Sequence, residues 1–254
     1  MKLSLLMLVP LLLNAADIRD AKAVEIGGKM TKAMGGEEAW AKARYIRFDF
    51  RLMDAGAAKM ERSHLWDKST GRYRFDSKTK DGKASVTLMN LATQKGDTFV
   101  DGKKLEGAQA AKALKDAYAS YINDYYWLAM PWKWTEPGVN LKHLGQKPCK
   151  TNTCDVVELT FGKVGLTPGD RYHAFVNPQT NLMEHWEYTL QSGNKGSWDW
   201  EYTSTGGVML ASNHSDGKGK ALDMGTVKVL DKVDAVVFED PKSELSRSPR
   251  KPKL

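Results

Sequence analysis

The sequence has few cysteines, no long apolar run and no catalytic signature. Cys149 and Cys154 are the only cysteines in 254 residues, which excludes a cysteine-rich zinc module or a disulfide-dense scaffold. The longest apolar stretch, Leu3 to Leu13, is interrupted by Ser4 and Pro10 and falls short of the roughly 20 residues a membrane-spanning helix needs. No H-E-x-x-H, G-x-S-x-G or P-loop pattern is present, so the standard zinc-protease, α/β-hydrolase and nucleotide-binding sites are not encoded in their usual form.

The short apolar run fits a different role. Lys2 precedes it and Asn14-Ala15-Ala16 follows with small residues, so residues 1–16 are expected to be a cleavable secretory signal and the protein periplasmic. No cysteine stands near the cleavage site to carry a lipid. In an exported chain, a close cysteine pair is expected to form a disulfide, Cys149 to Cys154.

The formal charge of +7 is concentrated at one end. Lys242, Arg247, Arg250, Lys251 and Lys253, against Glu244 alone, lie in the last stretch with Pro249 and Pro252. Residues 241–254 are therefore expected to be a basic disordered tail, capable at most of transient contact with an anionic membrane surface. With the charge in a tail, no nucleic-acid partner is expected.

Between these ends one domain, 17–240, is expected. Ile18, Ala21, Val24, Ile26, Met30, Ala33 and Met34 recur at near-helical spacing up to Gly35-Gly36, and 37–43 adds a turn with Trp40. From Tyr45 the period becomes two: Ile46, Phe48, Phe50 and Leu52 alternate with Arg47, Asp49 and Arg51. Strands are predicted near 45–53, 59–67, 72–78, 84–92, 97–101, 139–145, 154–161, 170–177, 182–191, 197–204, 207–214 and 224–234. Asp81-Gly82, Asp101-Gly102 and Asp216-Gly217 supply hairpin turns. One long helix, near 107–128, interrupts them with a stripe of Ala111, Leu114, Ala117, Tyr118, Tyr121, Ile122 and Tyr125. The predicted class is mainly β: a curved antiparallel sheet forming an unclosed barrel, covered by the N-terminal helix and the 107–128 helix.

The segment Tyr121 to Trp134 is the most unusual. Tyr121, Tyr125, Trp127, Met130, Trp132 and Trp134 crowd a helix end and the loop after it. Either they pack as core, or they line a cavity for a ligand with apolar and polar parts. Trp186 and Tyr188 share one strand face, as do Trp198 and Trp200. These too either fill a barrel interior or wall a ligand site. Together the ten residues are the candidate ligand-binding set. No catalytic residue, metal ligand or cofactor is expected; the five histidines are scattered over separate strands. His185 and Glu187 share a face that Asp67, Asp170 or Asp199 could approach, which keeps a hydrolase or metal enzyme as the weakest reading.

The pattern resembles the periplasmic lipoprotein carriers and receptors LolA and LolB, and more broadly the outer-membrane lipoprotein-sorting proteins. It does so in the helix closing on Lys32-Ala33-Met34-Gly35-Gly36, the strand Tyr45 to Leu52, and the turn Asn177-Pro178-Gln179-Thr180-Asn181-Leu182, similar to the family's D-P-x-T-x-L hairpin. The resemblance implies a half-barrel whose apolar concave face takes up acyl chains. The function expected is a non-enzymatic carrier for a hydrophobic small molecule, lipid or lipoprotein. The alternative is an envelope interaction module with a filled core.

Overall fold

The computed structural model describes residues 17–150, 152–162 and 164–245. The expected signal, 1–16, and most of the expected tail, 246–254, lie outside them. Three helices, α1 (Ala21–Ala33), α2 (Gly36–Lys42) and α3 (Gly107–Ala129), accompany fourteen strands. The first six are β1 (Tyr45–Asp54), β2 (Ala57–Asp67), β3 (Arg72–Lys78), β4 (Ala84–Asn90), β5 (Lys95–Val100) and β6 (Lys103–Lys104). After α3 come β7 (Val139–Cys149), β8 (Asn152–Phe161), β9 (Arg171–Val176), β10 (Met183–Thr189), β11 (Lys195–Thr205), β12 (Val208–Ser215), β13 (Lys220–Asp223) and β14 (Lys228–Leu230).

All strands join one antiparallel sheet in the order β6-β5-β4-β3-β2-β1-β13-β12-β11-β10-β9-β8-β7, with β14 also on β1. β6 and β7 are its free edges, so the barrel is unclosed, as expected from the sequence. Residues 18–20 pair with the β7 edge at Leu141. Leu141 N donates to Ile18 O (2.8 Å), Asp20 N donates to Leu141 O (3.0 Å), and Asp20 Oδ1 accepts from Ala23 N to cap α1. A short partner of this kind blunts that end of the edge as a template for other chains.

Of the twelfth predicted strand, 224–234, the structure keeps only β14, Lys228–Leu230, and β13, Lys220–Asp223, ends just before it. Gly225 turns the chain at φ 54°, Thr226 N donates to Asp49 Oδ2 at 3.0 Å, and a Cβ on Gly225 would come within 2.7 Å of that oxygen. The turn is pulled onto a buried carboxylate of β1, a contact between distant segments. Elsewhere the hairpins follow local chemistry: Asp101 and Gly102 both take positive φ (47° and 74°) between β5 and β6.

Cys149 and Cys154 form the expected disulfide, across the tip of the β7–β8 hairpin. At the other end of the chain, the boundary expected at 240 falls inside a packed segment. Arg74 donates to the carbonyl oxygens of Val237, Asp240 and Pro241 and to Ser243 Oγ, and Leu245 is buried with Tyr45, Leu65 and Phe238 on the sheet's outer face.

The main core fills the concave side. α1 contributes Ala23, Ile26 and Met30; β1 contributes Ile46, Phe48 and Phe50; α3 lies across the interior. At 100° per residue, its Tyr121 and Tyr125 reach Trp66 and Tyr73 of β2 and β3, while Tyr126 and Trp127 reach the aromatics of β8 to β12. No helix among the described residues is long and apolar enough to cross a membrane.

Candidate functional site

Beside α3 the packing leaves a cavity of about 490 Å³, within the roughly 300–1,000 Å³ usual for small-molecule sites. α3 supplies Ile122, Tyr125, Tyr126 and Trp127. The sheet supplies Val139, Leu159, Phe161, Tyr172, Trp186, Tyr188 and the adjoining Leu190, and the β8–β9 loop closes the rim with Val164, Leu166, Thr167 and Asp170. Leu166 is 55% and Val164 37% exposed, so apolar side chains stand in water at the mouth.

The rings are densely interlocked. Tyr126 packs against Tyr172 (centroids 5.3 Å) and Trp186 (5.9 Å); Trp127 meets Trp186 edge-on at 4.6 Å and Trp198 at 5.4 Å. Polar groups at the rim are already engaged. Asp170 accepts from Thr167 Oγ1 (2.6 Å), Gln191 N (2.8 Å) and Tyr172 OH (3.3 Å). Lys133 is paired with Glu136 at 2.6 Å. Burial drives the hydroxyl pKa of Tyr126 far above that of a free tyrosine, with the nearby Tyr172, Glu136 and Asp170 adding to it.

The candidate residues divide. Tyr125, Trp127, Trp186 and Tyr188 line the cavity. Tyr121, Met130, Trp132 and Trp134 are buried in the core away from it: Trp132 stacks on Trp40 at 4.7 Å and donates Nε1 to Met209 O, and Trp134 donates Nε1 to Met130 Sδ. Trp200 is buried behind Trp186 at 5.0 Å, and Trp198 borders an open groove. The segment 121–134 thus holds both core residues and residues that line the cavity. Ile122, Tyr126, Phe161, Tyr172 and Leu166 complete the wall; Tyr126 follows from helical spacing after Ile122, but the loop residues carry no periodicity that marks them.

The open groove, about 650 Å³, is charged, with Arg171, Lys195, Lys218 and Lys220 facing Glu187 and Asp216. Three of the histidines form separate pairs: His185 with Asp199 (2.7 Å), His143 with Asp155 (3.1 Å), His173 with Glu158 (3.4 Å). Of the three aspartates that could approach His185, Asp199 does so. Asp67 instead binds Arg44 and Arg72, and Asp170 sits at the cavity rim. The group that comes within metal-ligand spacing among the described residues is Cys149, Cys154 and Glu184, and both its sulfurs are spent in the disulfide.

No protein-family model matches the sequence, and no curated protein matches it. Among solved structures, the chain is similar to a LolA superfamily protein from Nitrosomonas europaea (13% identity, TM-score 0.49, covering 85% of this chain and 96% of that one). It is also similar to a putative outer membrane lipoprotein-sorting protein domain from Vibrio parahaemolyticus (10%, 0.45, 85% and 96%) and to a DUF1329 family protein from Desulfovibrio piger (11%, 0.46, 85% and 97%).

Proposed function

We propose that the protein is a periplasmic carrier that holds one apolar chain, of a lipid or acylated molecule, in the cavity between α3 and β7–β10, without covalent chemistry. The observation that carries this reading is the cavity wall: aromatic and aliphatic side chains from a helix and a sheet, with two exposed apolar residues at its mouth. Contiguous apolar surface that stays open to water marks ligand-binding grooves and interaction sites. Each methylene moved from water into such a wall contributes about 0.8 kcal/mol, so a chain of modest length binds reversibly. The volume suits a single chain, because the rest of the concave side is packed by Met30, Phe48, Leu128 and Trp134. Export, expected from residues 1–16, brings the protein to a compartment bounded by two lipid surfaces.

Protein purified from an exporting cell, examined by native mass spectrometry and then by organic extraction, is expected to release one lipid or acyl compound per chain. A ligand-free mass, together with tryptophan fluorescence that ignores added acyl compounds, would contradict the proposal.

A further inference from the structure

Two donors in the cavity wall have nothing to bond. The hydroxyl of Tyr126 and Nε1 of Trp186 are both buried without a hydrogen-bond partner among the described residues, and their rings are 5.9 Å apart on the same wall. Among other aromatic polar atoms, Tyr172 OH donates to Asp170, Tyr202 OH to Met183 O, and Trp132 Nε1 to Met209 O; Trp200 Nε1 and the ring nitrogens of His214 are also unpaired among the described residues, but neither residue lines the cavity. A buried unpaired donor is costly, and native proteins rarely keep one without use. An indole N–H can only donate, and a phenol can donate as readily as accept. The pair therefore calls for an acceptor.

The surrounding charge limits what that acceptor is. The two carboxylates at the cavity, Asp170 and Glu136, face a single cation, Lys133, and Lys133 is already bound to Glu136. No free cation is left among the lining residues to neutralise an entering anion, and burying an unpaired charge costs far more than burying a neutral dipole. Resting on the carrier reading, we propose that Tyr126 and Trp186 select an uncharged carbonyl on the bound chain, an ester rather than a free carboxylate, by donating hydrogen bonds to its oxygen. Plain hydrocarbon fits the wall but leaves both donors unpaired. A fatty acid anion satisfies them but meets Asp170.

Equilibrium dialysis of radiolabelled decane, methyl decanoate and decanoate, supplied from cyclodextrin at neutral pH, separates these cases. Wild-type protein is expected to bind methyl decanoate about tenfold more tightly than decane, the worth of one to two buried hydrogen bonds, and more tightly than decanoate. Tyr126→Phe removes a single unpaired oxygen. It is expected to lower ester affinity several-fold and so to shrink the preference for ester over decane, while retained decane binding shows that the variant is folded and its cavity intact; Trp186→Phe should act in the same direction. Ester and hydrocarbon binding alike, an unaffected Tyr126→Phe, or decanoate binding tightest would each overturn the selectivity while leaving the carrier proposal standing. Binding of none of the three would overturn both.

Discussion

Arg62 of β2 donates through Nη1 to both carboxylate oxygens of Asp124 on α3, at 3.0 and 2.9 Å, and Asp124 is wholly buried while Arg62 is 27% exposed. His64 completes the contact, with Nε2 3.1 Å from Asp124 and Nδ1 2.7 Å from the hydroxyl of Tyr73. This cluster ties the helix that walls the cavity to the sheet.

The difference in burial makes the two halves of the pair unequal. Arg62→Met leaves a buried carboxylate with only Asn123 and His64 beside it, and should cost about 3 kcal/mol. Asp124→Asn leaves an arginine that can turn to water, and should cost about half as much. Urea unfolding of both variants checks the order; equal losses would show that the pair contributes through packing alone.

Acid should weaken the fold before carboxylates titrate. Burial lowers the pKa of His214 to about 3 from 6.5, and lowers that of His64 despite Asp124. Below the unfolded value of 6.5 the unfolded chain takes up protons that the native state refuses. The stability these groups contribute is thus complete above pH 6.5 and is lost as pH falls toward the folded value, by about 1.4 kcal/mol per pH unit for each histidine. His214 packs at 4.3 Å against Trp200 and 5.1 Å against Trp127, so His214→Phe keeps a ring there. Between pH 7.5 and 4.5 the variant should lose roughly 2.5 kcal/mol less than wild type in urea unfolding. Identical losses would place the acid sensitivity elsewhere.

The Cys149–Cys154 disulfide closes a short loop at the hairpin end remote from Val139, Leu159 and Phe161 of the cavity. The double variant Cys149→Ser, Cys154→Ser should lose roughly 2 kcal/mol of stability and bind ligand as wild type does. A large loss of binding would mean that the hairpin tip reports to the cavity.

Much of the fold is legible locally. Alternation from Tyr45 onward places β1, and Asp-Gly pairs place the hairpins, because pleat and turn are set by neighbours in sequence. The break at Gly225 is not, since Asp49, distant in sequence, creates it. The site is half legible for the same reason. The density of rings from Tyr121 to Trp134 marks the region, but whether a ring fills core or lines space depends on what the sheet presents opposite: Trp66 and Tyr73 close over Tyr121, whereas the β8–β9 loop leaves room beside Tyr126.

Calorimetric titration with methyl esters of rising chain length, on wild type and on Ile122→Trp, tests the carrier account most directly. Ile122 lines the cavity from α3, and an indole there occupies the space an acyl chain needs. Wild type should bind one ester per chain and tighten roughly tenfold for every two methylenes added, at about 0.8 kcal/mol each, until the cavity is full, whereas Ile122→Trp should show no binding. No heat of binding in the wild type, or undiminished binding in the blocked variant, would contradict the account.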